Sequence, residues 1–136
     1  MKKDIIGKEY SLTFTVQSDM TATLDGTEIH PVCSTVTMVY YAELAARKVI
    51  EPLFDTGDQA IGGGINLKHT GMAALGEVVE VNARIVSFDG RVLICEIEST
   101  VNHGAIILCK GTQTQLVLQQ EIINELIDKA YTRLLL

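Results

Sequence analysis

Three polar side chains in a largely apolar setting have the types needed for acid–base or nucleophilic chemistry. Thr35 stands where a long helix is expected to begin, Glu43 lies inside that helix, and His69 lies at the expected end of a strand. A threonine hydroxyl can attack an acyl carbon or orient a carbonyl, while glutamate and histidine transfer protons near neutral pH. Together the three residues are candidates for a catalytic site.

Each of these residues also has a structural interpretation, and the residues alone leave both open. Thr35 can act as a helix N-cap, Glu43 as a satisfied buried acid or an exposed helix residue, and His69 as a surface residue at a strand end. Glu43 is followed by Leu44 and preceded by Ala42. If this environment is buried, desolvation disfavours the ionised carboxylate and suits it to proton transfer.

The helix that must position Thr35 and Glu43 is predicted to begin at Ser34 or Thr35 and to run to about Pro52. Its expected buried stripe is formed by apolar residues at spacings of three and four: Val36, Val39, Ala42, Ala46, Val49 and Leu53. Helix geometry places Thr35 and Glu43 about 80° apart around the axis and about 12 Å apart along it. A common site therefore needs His69 or a long substrate between them, or residues from two chains.

The remaining pattern is mostly β. Alternating apolar residues predict a strand at 9–17, followed by a loop at 18–31 that covers the helix entrance and turns at Asp25-Gly26. Further strands are predicted at 60–69, 77–87, 91–101 and 105–118, with a two-residue hairpin turn at Asp89-Gly90. A second helix is expected at 120–136, its leucine-rich end packing on the sheet or on a neighbouring subunit. This order predicts an α+β fold with an antiparallel sheet wrapped around one long central helix and an extra C-terminal helix.

Bulk properties narrow the class of protein. The length of 136 residues suits one domain, at 1–136, and a net charge of −6 without a basic cluster disfavours nucleic-acid binding. No apolar run has the length of a membrane span or a signal peptide, so the default expectation is a cytoplasmic protein. The cysteines show no metal or redox spacing and are expected to be buried free thiols: Cys33, Cys95 and Cys109.

Spacing links these residues to a known family. The chain carries a Ser34-Thr35 pair before the helix, a glutamate at Glu43 and a glycine at Gly62 followed by His69. In this it resembles the hotdog-fold acyl-CoA thioesterases, and among them the fluoroacetyl-CoA thioesterase-like group, whose members carry the same residues at these spacings. The resemblance covers residues 10–118.

The resemblance implies a catalytic set of Thr35, Glu43 and His69. It also implies a backbone oxyanion contact near Gly62, because glycine allows close approach of a ligand to the backbone. The substrate-binding residues expected are Gly62, Gly63 and Ser34. Such enzymes need no metal or organic cofactor, and they act as homodimers or dimers of dimers with the site at a subunit interface. The partner implied is an acyl-CoA substrate.

The expected activity is hydrolysis of a short or medium acyl-CoA to the free acid and CoA. Members specific for fluoroacetyl-CoA carry a phenylalanine-containing lid before the helix, whereas this chain has no Phe between Phe14 and Phe54 and offers Ile29, His30 and Pro31 instead. Fluoroacyl selectivity is therefore not expected. The alternative is a non-catalytic acyl-CoA or acyl-carrier binding module. A hotdog hydratase is disfavoured because its Asp/His motif is missing from the sequence.

Overall fold

A computed structural model describes residues 1–2 and 4–136. Seven strands and two α-helices follow one another along the chain: β1 (Glu9–Thr15), β2 (Thr21–Leu24), β3 (Thr27–Cys33), α1 (Thr35–Ile50), β4 (Asp58–His69), β5 (Val78–Phe88), β6 (Val92–Val101), β7 (Ile106–Gln119) and α2 (Gln120–Thr132). Short 3₁₀ turns lie at Ser18–Met20, Glu51–Leu53 and Arg133–Leu135. None of the described helices is both long and apolar enough to cross a membrane.

Five strands form one antiparallel sheet in the order β1-β5-β6-β7-β4, and α1 packs across its inner face. The side of α1 that faces the sheet is rich in alanine, which lets the helix lie close to the strands. Its buried residues are Met38, Ala42, Ala45, Ala46, Val49 and Ile50. The predicted α+β architecture, a sheet around one central helix followed by a C-terminal helix, is confirmed.

The buried face of α1 matches the predicted stripe at Ala42, Ala46 and Val49 and differs from it near the start of the helix. Val36 is 70% exposed and Tyr40 is 61% exposed, whereas Met38 is fully buried. At the start of the helix either Val36 or Met38 satisfies helical periodicity, so the sequence pattern could not choose between them; contact with the sheet does. Val36 and Tyr40 consequently leave apolar surface uncovered on the side of α1 away from its own core.

The segment before α1 is a hairpin rather than the predicted loop. Strands β2 and β3 pair antiparallel, and the predicted turn is confirmed at Asp25 and Gly26, whose φ angles of 51° and 73° fit a two-residue turn. Strand β2 has only four residues, and its pairing with β3 has register shifts on both sides of Ala22, so no clear alternation was visible in the sequence. The backbone N–H of Ser34 donates to the carbonyl of Met20 at 2.9 Å, which holds the hairpin over the start of α1.

The predicted two-residue turn between β5 and β6 is wrong. The connection has three residues, and the carboxylate of Asp89 accepts hydrogen bonds from the backbone N–H groups of Arg91 and Val92 at 2.9 and 2.7 Å. An Asp side chain that satisfies two backbone donors stabilises the longer turn.

The C-terminal helix makes little use of its own sheet. Ile123 is its buried residue, while Leu134, Leu135 and Leu136 are 78%, 85% and 100% exposed. The leucine-rich end was predicted to pack on the subunit's own sheet or on a neighbouring subunit. Its exposure shows that it does not pack on its own sheet.

Candidate functional site

Ser34 and Thr35 have separate roles at the start of α1. Ser34 is the N-cap, and its hydroxyl oxygen accepts the backbone N–H of Thr37 at 3.0 Å. The structural interpretation of Thr35 as the cap is therefore wrong. Because capping does not use it, the Thr35 hydroxyl is free to bond elsewhere, and its Oγ1 lies 2.8 Å from Nδ1 of His69.

His69 is half-buried at the end of β4, where it lies opposite Cys109 of β7. Its Nδ1 bonds to Thr35, while its Nε2 is enclosed without a hydrogen-bond partner among the described residues. The Thr35–His69 pair borders a shallow pocket of about 250 Å³ that Ser34 and His30 also line. A hydroxyl bonded to an imidazole is the arrangement in which histidine can remove the hydroxyl proton.

Glu43 and Gly62 form a second pair. A Cβ atom placed on Gly62 would lie 3.3 Å from Oε1 of Glu43, so the absence of a side chain gives the carboxylate room beside the strand. Gly62 borders a β-bulge in the pairing of β4 with β7. The Glu43–Gly62 pair opens into a cleft of about 280 Å³ between α1 and the sheet, which Tyr40 and Leu44 also line.

The two pairs do not meet within one subunit. No described residue lines both the pocket and the cleft, and His69 does not bridge Thr35 to Glu43. Glu43 is exposed in the single chain, so the expected burial of its carboxylate is not provided by its own subunit. In the isolated subunit, Glu43 is therefore an exposed helix residue, which is one of its two structural interpretations.

Gly63 contributes nothing visible to either pair. The atoms nearest to a Cβ placed on it belong to Leu116 and Thr114, at ordinary contact distances of 3.5 Å and more. Substrate binding by Gly63 remains a prediction.

Sequence analysis missed two residues of the cleft. Gln113 and Gln115 on β7 are 2% and 3% exposed and line the cleft beside Glu43. The signal was their spacing of two with Val117, which places all three on the inner face of the sheet.

The cysteines are buried thiols without a nucleophilic role. Burial raises the pKa of Cys33 and of Cys109 to about 11 and that of Cys95 to about 12, so each remains protonated near neutral pH. Across residues 1–2 and 4–136, no group of three or more His, Cys, Asp or Glu side chains has the arrangement needed to hold a metal ion.

Substitution of the two hydroxyl residues should separate stability from chemistry. We expect Ser34→Ala to destabilise the fold by about 1 kcal/mol because it removes the N-cap, whereas Thr35→Ala should have a smaller effect because its hydroxyl caps nothing. Urea unfolding measures both. Equal losses of stability would contradict the assignment of Ser34 as the cap.

Comparison with known proteins gives consistent results. The family model of FlK, the fluoroacetyl-CoA-specific thioesterase, matches residues 16–121. A Thermus thermophilus hypothetical protein described as a thioesterase superfamily member is 28% identical, with a TM-score of 0.91 over 98% of this chain and 97% of that chain. No curated protein sequence matches significantly.

Two more distant structures support the fold alone. A FlK variant in complex with acetyl-CoA is 23% identical, with a TM-score of 0.80 over 92% of this chain and 97% of that one. A hot-dog-like protein from Thermanaerovibrio acidaminovorans is 15% identical, with a TM-score of 0.82 over 93% and 92% of the two chains. The hotdog fold predicted from the sequence is confirmed.

Proposed function

Because the chain belongs to the fluoroacetyl-CoA-specific thioesterase family, and is thus a thioester hydrolase, we propose that it converts short or medium acyl-CoA thioesters to the free acid and CoA at a site formed by Thr35, Glu43 and His69. The observation that carries this proposal is the 2.8 Å contact between Thr35 Oγ1 and His69 Nδ1. It joins a nucleophile and a base of the types that acyl transfer requires.

The proposed reaction has two stages. His69 accepts the hydroxyl proton of Thr35 as the oxygen attacks the thioester carbon, and the backbone N–H near Gly62 stabilises the resulting oxyanion. Collapse of this intermediate breaks the C–S bond, and His69 returns the proton to the departing CoA thiolate. Glu43 then accepts a proton from the water that attacks the acyl-threonine ester, and transfer of a proton back to Thr35 releases the acid.

Two subunits are needed to assemble this site, because Thr35–His69 and Glu43–Gly62 face different clefts of one chain. Strand β4 lies at an edge of the sheet, with unpaired backbone groups that invite pairing with a second copy. Both α1 and the edge strand carry exposed apolar residues: Val36 and Tyr40 on the helix and Ile65 on β4. We therefore propose a homodimer, which could pair further into a dimer of dimers.

The position of the two-fold axis follows from the residues that must meet. An antiparallel β4–β4 pair with its axis between Ile65 and Asn66 places His69 opposite Gly62 of the partner subunit, because both lie equally far from the axis. Thr35 and His69 of one chain then face the partner's Glu43, which lies beside that glycine. The partner would also cover the carboxylate of Glu43, which is exposed in the single chain.

The proposed substrate range is broad because a feature of fluoroacyl selectivity is missing. The hairpin beside the Thr35–His69 pair presents His30 to the pocket and leaves Ile29 51% exposed. No aromatic lid residue lies there.

We further propose one hotdog domain over residues 1–136 and a reducing, cytoplasmic setting, which suits three free buried thiols.

Release of free CoA from a panel of acyl-CoAs tests the activity and the role of Glu43. We expect turnover of short and medium acyl groups by the wild type, and a fall in kcat of about 10²-fold in Glu43→Gln, the low end expected for loss of a proton-transfer group. Glu125→Gln makes the same change at an exposed position of α2 and should retain activity. Because the protein thiols are buried, a thiol reagent reports released CoA.

Two results would contradict the proposal. Binding of acyl-CoA without release of thiol from any member of the panel would identify the alternative, a non-catalytic binding module. Turnover that is insensitive to Glu43→Gln would remove Glu43 from the site.

A further inference from the structure

Two carboxamide side chains line the cleft beside Glu43 without a partner. Gln113 and Gln115 are 2% and 3% exposed, and neither side chain forms a hydrogen bond with any residue that the structure describes. Gln113 Oε1 and Gln115 Nε2 are completely enclosed, so the ends that the cleft can reach are Gln113 Nε2 and Gln115 Oε1. Most buried polar side-chain atoms in folded proteins have a partner, so two adjacent exceptions need an explanation.

Packing does not explain them. Val117 is the next inward-facing residue of the same strand and shows that an apolar side chain fits this face of β7. An unpaired buried amide destabilises a protein, and an apolar residue of similar shape would avoid that cost. The glutamines are therefore the residues expected where a bound molecule forms hydrogen bonds with the carboxamide ends that face the cleft, Gln113 Nε2 and Gln115 Oε1.

The cleft defines the chemistry of that molecule. Each carboxamide has a donor end and an acceptor end, and a hydroxyl group can both donate and accept. Residues two apart on one face of a strand lie about 7 Å apart, which allows one hydroxyl to bridge their side chains. A neutral group fits better than an anion, because the Glu43 carboxylate lies in the same cleft and the Arg47 guanidinium is already bonded to Glu51 at 3.2 Å.

The same cleft places that group near the reacting carbon. Gln113 Nε2 lies 4.0 Å, and Glu43 Oε1 3.3 Å, from the position of a Cβ on Gly62. In the proposed function, to which this argument adds, Gly62 contacts the thioester oxygen. A group that reaches Gln113 must therefore be on one of the first few carbons of the acyl chain.

We infer that Gln113 and Gln115 select short acyl-CoA thioesters that carry a hydroxyl group close to the thioester, in preference to plain alkyl thioesters. Both residues determine which acyl group is preferred. They take no part in breaking the thioester bond, which follows the proposed hydrolysis. A site built to bond a hydroxyl discriminates strongly against a substrate that lacks it, because its own polar groups are then left unpaired.

Matched pairs of substrates test this inference. We compare 3-hydroxybutyryl-CoA with butyryl-CoA, and 2-hydroxypropionyl-CoA with propionyl-CoA, by kcat/KM for release of CoA. The wild type should favour the hydroxylated member of at least one pair by about 10²-fold. In Gln113→Met and Gln115→Met that ratio should fall by roughly 10-fold or more, because methionine preserves the shape and removes the hydrogen bonds. Gln120→Met, the same change at an exposed position, should leave the ratio intact.

Thermal unfolding without substrate provides a second measurement. Removal of unpaired buried amides should leave Tm unchanged or raise it in Gln113→Met and Gln115→Met. If both variants instead lower Tm and keep the wild-type ratio, the glutamines are structural and the inference is overturned. Hydrolysis of plain acyl-CoAs as fast as their hydroxylated counterparts overturns it as well, while leaving the proposed function in place. Failure to hydrolyse any acyl-CoA contradicts both.

Discussion

His69→Asn is expected to lower kcat for acyl-CoA hydrolysis by roughly 10³-fold, because it removes the group that accepts the Thr35 proton and returns it to the thiolate. Asparagine retains a polar atom close to the position of Nδ1, so the contact with Thr35 can survive while proton transfer does not. Thr35→Val, which removes the hydroxyl and keeps the β-branched shape, should have an effect of similar size.

The double variant makes this experiment specific. We expect Thr35 and His69 to act as one unit through their 2.8 Å contact. The kcat of the double variant His69→Asn/Thr35→Val should then be no lower than that of either single variant, because either change alone already disables the pair. Independent roles would instead multiply the two losses. His103→Asn serves as a control because it lies in the β6–β7 turn, where a left-handed backbone at φ 54° tolerates asparagine.

Thr35→Ser separates the nucleophile from simple packing. A serine hydroxyl can still attack, so this variant should keep far more activity than Thr35→Val. Wild-type kcat in His69→Asn or in Thr35→Val would contradict the assigned chemistry.

Mixing two inactive variants should restore activity. His69→Asn and Glu43→Gln each disable every site of their own homodimer. In a mixed dimer whose sites combine Thr35 and His69 of one chain with Glu43 of the partner subunit, one site contains only intact residues. With random pairing, roughly a quarter of wild-type activity should return. The measurement is CoA release after the two proteins are unfolded together and refolded, or expressed together.

A double variant provides the matched control. His69→Asn/Glu43→Gln mixed equally with wild-type protein should give roughly a quarter of full activity if each site is shared, and roughly half if each chain carries a complete site. A shared site is established if the two single variants restore activity when mixed and the double variant mixed with wild type gives a quarter of full activity. If the mixed single variants remain inactive and the double variant mixed with wild type gives half of full activity, one chain carries a complete site. The proposed axis between Ile65 and Asn66 would then be wrong.

The order and type of most elements followed from the sequence. Strong alternation predicted β1 and the four long strands β4 to β7, and the run without Gly or Pro predicted α1, because these patterns reflect burial on one face of a strand or helix. The residues of the proposed site followed from spacing shared with a family. Local rules failed at the β2–β3 hairpin, whose short strands pair with register shifts, and at Asp89, whose side chain stabilises a longer turn.

The tertiary structure decided how the polar residues are grouped. The sequence places Thr35 and Glu43 on one helix and His69 far away, yet the fold joins Thr35 to His69 and Glu43 to Gly62. Only the path of β4 along the sheet edge determines these partners, because contacts between distant segments are not encoded in local periodicity. The same holds for Gln113 and Gln115: their polar character is plain in the sequence, but their burial beside Glu43 depends on which face of β7 meets α1.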